Sequence, residues 1–223
     1  HSSHLFGLFP GFELSSVPSS DYFSPERRAV EKRIEAGRGD RSAHGLVHMA
    51  FFATRLRDPD VFWRTASIFA RDEYSNDSLL STHNPRRESY NLDATPSWPA
   101  AIRGAIVFSD EDFIEVLPAL PVEQVPSGSI SGMWTRTGVT VEHLDWEFET
   151  HHDCETPSGS VEIVLASETD REITLRPPQR WEVRSFEASG ANTARIDPNT
   201  SYRISLSDDA PARIPFELVT GSA

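Results

Sequence analysis

Lysine is nearly missing from this 223-residue chain. Lys32 is the only one, and arginine makes up the rest of the 21 basic residues against 34 acidic ones. The resulting net charge of −13 repels nucleic acid, whose binding rests on neutralising phosphates. The basic residues come in pairs at most, as in Arg27-Arg28 and Arg86-Arg87. We therefore expect no DNA or RNA partner. An acidic surface of this kind suits a neutral ligand such as a sugar. Cysteine is also scarce. Cys154 stands alone, so no internal disulfide can form and a small disulfide-stapled domain is excluded, though a large secreted one is not. Long apolar runs are absent too. Runs such as residues 105–108 and 116–122 fall far short of the roughly 20 residues a membrane helix needs, and no membrane partner is expected. No Gly-x-Ser-x-Gly elbow or glycine-rich phosphate loop occurs; Gly37-Arg38-Gly39 reads as a helix end.

The opening stretch, His1-Ser2-Ser3-His4-Leu5-Phe6-Gly7-Leu8-Phe9-Pro10-Gly11, has neither an initiator Met nor a charged leader with an apolar run behind it. It reads as the interior of a folded segment, and we expect the tail of a larger protein. Absence of a signal peptide then says nothing about compartment.

What is present is ordinary globular composition, 38% hydrophobic and 25% charged. The first half has helical periods. Ser24-Pro25 marks a start and Gly37 an end for a helix over residues 26–36. Leu46, Met49, Ala50 and Ala53 predict a second over 43–56. Asp58-Pro59-Asp60 breaks it, and a third follows over 61–72. Residues 73–97, rich in Ser, Asn, Asp and Pro, show no period and read as a long functional loop. A helix over 99–108 comes next.

From residue 111 the pattern changes to short β-branched and aromatic runs. Segments 114–120, 129–135, 139–149, 160–166, 172–176, 180–186, 202–206 and 214–219 read as strands. Val139, Val141, Leu144, Trp146 and Phe148 alternate, with a slip near Glu142-His143 expected to be a bulge. About eight such strands predict an antiparallel β-sandwich. The expected division is residues 1–110 and 111–223.

Three stretches carry a family resemblance, in order. The opening resembles the second half of a His-Arg-His-x-Ser-His-Leu-x-x-Leu-x-Pro-Gly motif. Ser81-Thr82-His83-Asn84-Pro85 with Tyr90-Asn91-Leu92-Asp93 resembles Thr-His-Pro-Pro-Phe-Gln-Ile-Asp. The third runs from Glu115 to Pro121 and then from Gly128 through Trp134 and Gly138 to Glu142. Together they resemble glycoside hydrolase family 95, the α-L-fucosidases and α-L-galactosidases, over roughly the first 150 residues. The resemblance implies an α+β multidomain chain: the last helices of an (α/α)6 catalytic toroid, then the sandwich. It implies the C-terminal part of an inverting exo-glycosidase, acting on a terminal L-fucosyl or L-galactosyl unit of a glycan. The N-terminal remainder, with the general acid, would be its partner. No cofactor and no metal are implied, and an extracellular or secreted setting is. The alternative is an inactive carbohydrate-binding or structural module.

Asp93 matches the family's base-side aspartate. Read from the residues alone, Asp93 or Thr95 serves equally well as the N-cap of a following helix. The segment after it, Ala94-Thr95-Pro96-Ser97-Trp98, departs from the family's Asn-Phe-Gly continuation, which puts sugar preference and activity in question. His1 and His83 match sugar-contacting positions, with a frayed terminus and a plain loop hydrogen bond as the alternatives. His44 and His48 share a helical face. We read His44 as pocket-lining and His48 as packed, since the His-Glu-x-x-His glutamate is lacking. Trp98 is the candidate pocket wall, while Trp134 and Trp146 are expected in the core. His151-His152-Asp153-Cys154-Glu155 reads as a solvated hairpin loop.

Overall fold

A computed structural model describes residues 5–11, 23–36, 42–72, 74–76, 78, 80–85, 89–149, 157–197 and 201–220. His1 and the 151–155 cluster lie outside them. The chain packs as two compact units, residues 1–106 with 118–120, and 107–117 with 121–223.

The first unit is helical: α1 (Phe23–Ala36), α2 (Ala43–Leu56), α3 (Pro59–Arg71) and α4 (Ala94–Ile106). Helix α2 is central, touching the other three. Its apolar face carries Leu46, Met49, Ala50, Phe52 and Ala53, all buried. Local chemistry sets its ends. Ser42 accepts the Gly45 N–H at 3.0 Å, and Arg57 closes the helix in the left-handed region at φ 55°. One residue on, Asp58 accepts the Val61 N–H at 3.0 Å, and Pro59 opens α3 where its missing N–H costs nothing. The α2–α3 break expected at 58–60 is thus a cap on one side and a start on the other. Leu5 and Leu8 are buried in the same core, and Phe9 stacks on Phe51 at 4.1 Å.

The second unit holds ten strands: β1 (Val107–Ser109), β2 (Phe113–Val116), β3 (Ser127–Trp134), β4 (Val139–Phe148), β5 (Ser158–Ser167), β6 (Arg171–Arg176), β7 (Trp181–Phe186), β8 (Ala191–Asp197), β9 (Ser201–Leu206) and β10 (Ala212–Thr220). They form two five-stranded sheets, β1-β2-β6-β9-β8 and β3-β4-β5-β10-β7. On β4, β5 and β10 burial alternates as a half-buried sheet requires. Val139, Val141, Leu144, Trp146 and Phe148 point inward on β4, and Val161, Ile163 and Leu165 on β5. The predicted bulge falls where the β4–β5 register shifts, between Val141 and His143. Phe186 of one sheet stacks on Tyr202 of the other at 3.7 Å.

The structure differs from the sequence reading in several places. Helix α4 starts at Ala94, not residue 99, and ends at Ile106. Pro96 is accommodated in the first turn, where an N–H has no partner anyway. Val107 and Phe108, read as the end of that helix, lie in strand β1, and β8 is a strand where none is expected. Strands β2 and β6 pair in parallel, so the first sheet is not purely antiparallel. Trp134 is 57% exposed and is not core. Residues 74–91 are laced by short bridges, Ser75 to Ser81 and Thr82 to Tyr90, so the described part of this loop is tied down.

Candidate functional site

Three segments distant in sequence meet at the N-terminal ends of α2 and α4. The His83 carbonyl accepts the Ala43 N–H at 2.9 Å, seating the 81–85 loop on the start of α2. His83 N–H in turn donates to the Ser89 carbonyl at 2.9 Å, and Asn91 N–H to the Ser81 carbonyl at 2.8 Å. The Ser81 hydroxyl donates to the Asn91 carbonyl at 2.7 Å, and its own N–H reaches the Thr95 hydroxyl at 3.0 Å. This lattice holds the turn that opens α4.

Asp93 sits in that turn. It is not the cap. The Ala94 N–H is accepted by the Asn91 carboxamide at 2.8 Å, while the Thr95 hydroxyl bonds back to the Asn91 carbonyl at 3.3 Å. Both capping alternatives for Asp93 and Thr95 are thereby replaced by Asn91, which supplies the side-chain acceptor that the helix start needs. The Asp93 carboxylate is 75% exposed, with Oδ2 3.7 Å from Nδ1 of His44, itself about half exposed. The carboxylate keeps most of its lone pairs for a ligand or a water.

His44 and His48 lie one turn apart with ring centroids 4.4 Å apart. His48 is wedged edge-on between Phe9, at 5.6 Å, and Phe52, at 6.1 Å. Burial pushes its pKa below the ordinary imidazole value. The nearby His44 adds to this, and Asp93 opposes it. Below about pH 6.5 the unfolded chain binds a proton that folded His48 still refuses. Stability is therefore expected to fall as pH drops through that value towards the lowered folded pKa. Thermal midpoints between pH 7.5 and 5 should decline less in His48→Gln than in the parent. Equal declines would remove His48 from the account.

His83 is exposed, with Nδ1 3.0 Å from the Asn91 carboxamide nitrogen. Of the sequence candidates, His44, His83 and Asp93 are thus brought to one place. Trp98 is not with them. It is 7% exposed and packs against Phe69 at 4.4 Å, so the proposed pocket wall is a core residue. It falls five residues after Asp93 on α4, which turns it inward. Asn91 is the functional residue that the motif reading misses. The signal was its position three residues before Ala94, the spacing of a side-chain cap.

Among the described residues, no group of three or more His, Cys, Asp or Glu could hold a metal ion, and no helix is long and apolar enough to cross a membrane. A separate shallow groove of ≈ 760 Å³ lies on the β3-β4-β5-β10-β7 sheet, lined by Asp145, Glu147, Glu162 and Glu217 among others. Asp145 is paired with His143 at 2.5 Å and Glu162 with Arg213 at 3.0 Å.

No protein-family model matches the chain. The chain is 29% identical to alpha-L-fucosidase 2 of Arabidopsis thaliana over 156 residues, which is 66% of this chain and 17% of that protein. The chain therefore spans only a small part of the relative's length. The resemblance to the fucosidases drawn from the motifs rests on this match as well. Among solved structures it is similar to a GH127 beta-L-arabinofuranosidase from Geobacillus stearothermophilus. That likeness covers 78% of this chain and 31% of the other, at 15% identity and a TM-score of 0.30, too low to establish a shared fold.

Proposed function

We propose that this chain is the C-terminal part of an inverting exo-glycosidase that releases a terminal L-fucosyl or L-galactosyl unit from a glycan. The observation that carries the reading is the match to an α-L-fucosidase over two-thirds of the chain. It gains support from the meeting of Asp93, His44 and His83. Helices α1–α4 would be the last of an (α/α)6 toroid. Large exposed apolar side chains on the helical unit, among them Phe6, Tyr90, Leu92 and Ile102, are then surface for the preceding helices to cover. A secreted or extracellular setting belongs to the same proposal.

In the mechanism, Asp93 accepts a proton from a water that attacks the anomeric carbon. A carboxylic acid from the preceding part of the polypeptide protonates the leaving oxygen on the opposite face. Inversion needs the two carboxyl groups roughly 6.5–9.5 Å apart, with the water between. The exposed Asp93 carboxylate, freed from capping by Asn91, has room for that water. His44 beside it and His83 on the adjoining loop would bond sugar hydroxyls. The sandwich would take no part in the reaction.

The test is sugar release by the full-length polypeptide from a panel of terminal glycosides. Release confined to α-L-fucosides or L-galactosides is expected. Binding without turnover, across the panel, would favour the inactive-module reading, for which the altered segment after Asp93 is the specific argument.

A further inference from the structure

We propose that Asn91 is a positioning residue that decides which nitrogen of His83 carries the proton, leaving Nε2–H as a fixed donor on that exposed ring. The argument starts from what a carboxamide can do. It has one oxygen that accepts and one NH₂ that only donates. The Ala94 backbone N–H lies 2.8 Å from one end of the Asn91 amide. A backbone N–H can only donate, so that end is the oxygen. The amide orientation, often a matter of assignment, is here dictated by the peptide it caps. The NH₂ end therefore faces His83 Nδ1 at 3.0 Å. Two donors cannot share that contact, so Nδ1 is the acceptor. The neutral imidazole then carries its proton on Nε2.

The device is rigid. Asn91 is 8% exposed, its N–H is held by the Ser81 carbonyl, and its carbonyl by the Ser81 hydroxyl. The His83 backbone is pinned on both sides, to Ser89 and to Ala43. One side chain thus performs two tasks, capping α4 beneath Asp93 and fixing the tautomer of His83. For a ligand, a fixed Nε2–H selects an oxygen lone pair. It would bind a sugar hydroxyl or ring oxygen as acceptor. This last step rests on the proposed glycosidase reading; the tautomer does not.

Asn91→Asp separates the two tasks. A carboxylate still accepts the Ala94 N–H and suits a helix start, yet it can donate nothing to Nδ1. Nitrogen-15 correlation spectra of the imidazole, recorded on the full-length protein, read the tautomer directly. We expect His83 protonated at Nε2 alone in the parent at neutral pH. In Asn91→Asp, Nδ1 should gain a proton while the thermal midpoint is kept. Asn91→Ala should lose midpoint as well. In turnover, Asn91→Asp should raise KM about fivefold to tenfold with kcat little changed, the loss of one hydrogen bond in binding. A parent His83 carrying its proton on Nδ1 overturns the proposal, as does a tautomer unmoved in Asn91→Asp. A tautomer that moves with KM unchanged overturns the sugar-donor role. If Asp93 proves dispensable, the spectra still decide the Asn91 claim on their own.

Discussion

Asp93→Asn in the full-length polypeptide is expected to lower kcat by about 10²–10⁴-fold, the range for removing a positioned general base. The substitution is nearly isosteric, but it removes the negative charge and with it the ability to take up a proton. Its effect on folding should be slight, for three structural reasons. The carboxylate is 75% exposed. The helix start it adjoins is capped by Asn91 and not by Asp93. Its near contact, His44 Nδ1 at 3.7 Å, is itself half exposed, and such surface pairs contribute little. A matching thermal midpoint with collapsed turnover is the expected pair of results. Turnover within a few-fold of the parent would remove Asp93 from the chemistry, whatever the motif implies.

Gly159→Ala is expected to cost about 1–3 kcal/mol of sandwich stability, the usual penalty for forcing atoms into a filled core. Gly159 lies across from Phe148 in the β4–β5 register. A Cβ there would run into the Phe148 ring, with Cε1 only 2.6 Å away. The ring has nowhere to retreat, being 5% exposed and packed on Trp181 at 4.8 Å. Gly128 repeats the arrangement on the other side of β4, where a Cβ would meet Trp146. These glycines are present because an aromatic ring lies over each of them. Urea unfolding gives the check. A change under about 0.5 kcal/mol, the scale of an indifferent surface site, would mean the ring moves aside freely.

What the sequence made legible follows from how local each signal is. Helix α2 runs over the predicted 43–56, because its apolar period, its Ser42 cap and the Asp58-Pro59 break all lie within a few residues of one another. Strand β4 was equally plain, since alternation and bulge are written in its own ten residues. Strand β1 was missed because Val107–Ser109 continues an apolar helical run without a breaker. Strand β8, Ala191–Asp197, has too few apolar residues to alternate. The parallel pairing of β2 with β6 joins segments more than fifty residues apart, and no local pattern records it.

The same distinction runs through the site. That His44 and Asp93 meet is recorded in no local pattern, because the contact joins α2 to the turn before α4. Trp98 was misplaced because α4 was expected to begin at residue 99. Once Asn91 starts the helix early, Trp98 lies within it and turns to Phe69. The dual use of Asn91 is written in no local pattern, since residue 83 and residue 94 become neighbours only through its side chain.

The most direct measurement is a proton NMR time course of the full-length polypeptide with a terminal α-L-fucoside. The account predicts release of L-fucose with the β-anomer appearing first, the stereochemical mark of a single displacement by a water that Asp93 activates. First appearance of the α-anomer would contradict inversion, and no release from fucosyl or galactosyl substrates would contradict the glycosidase itself.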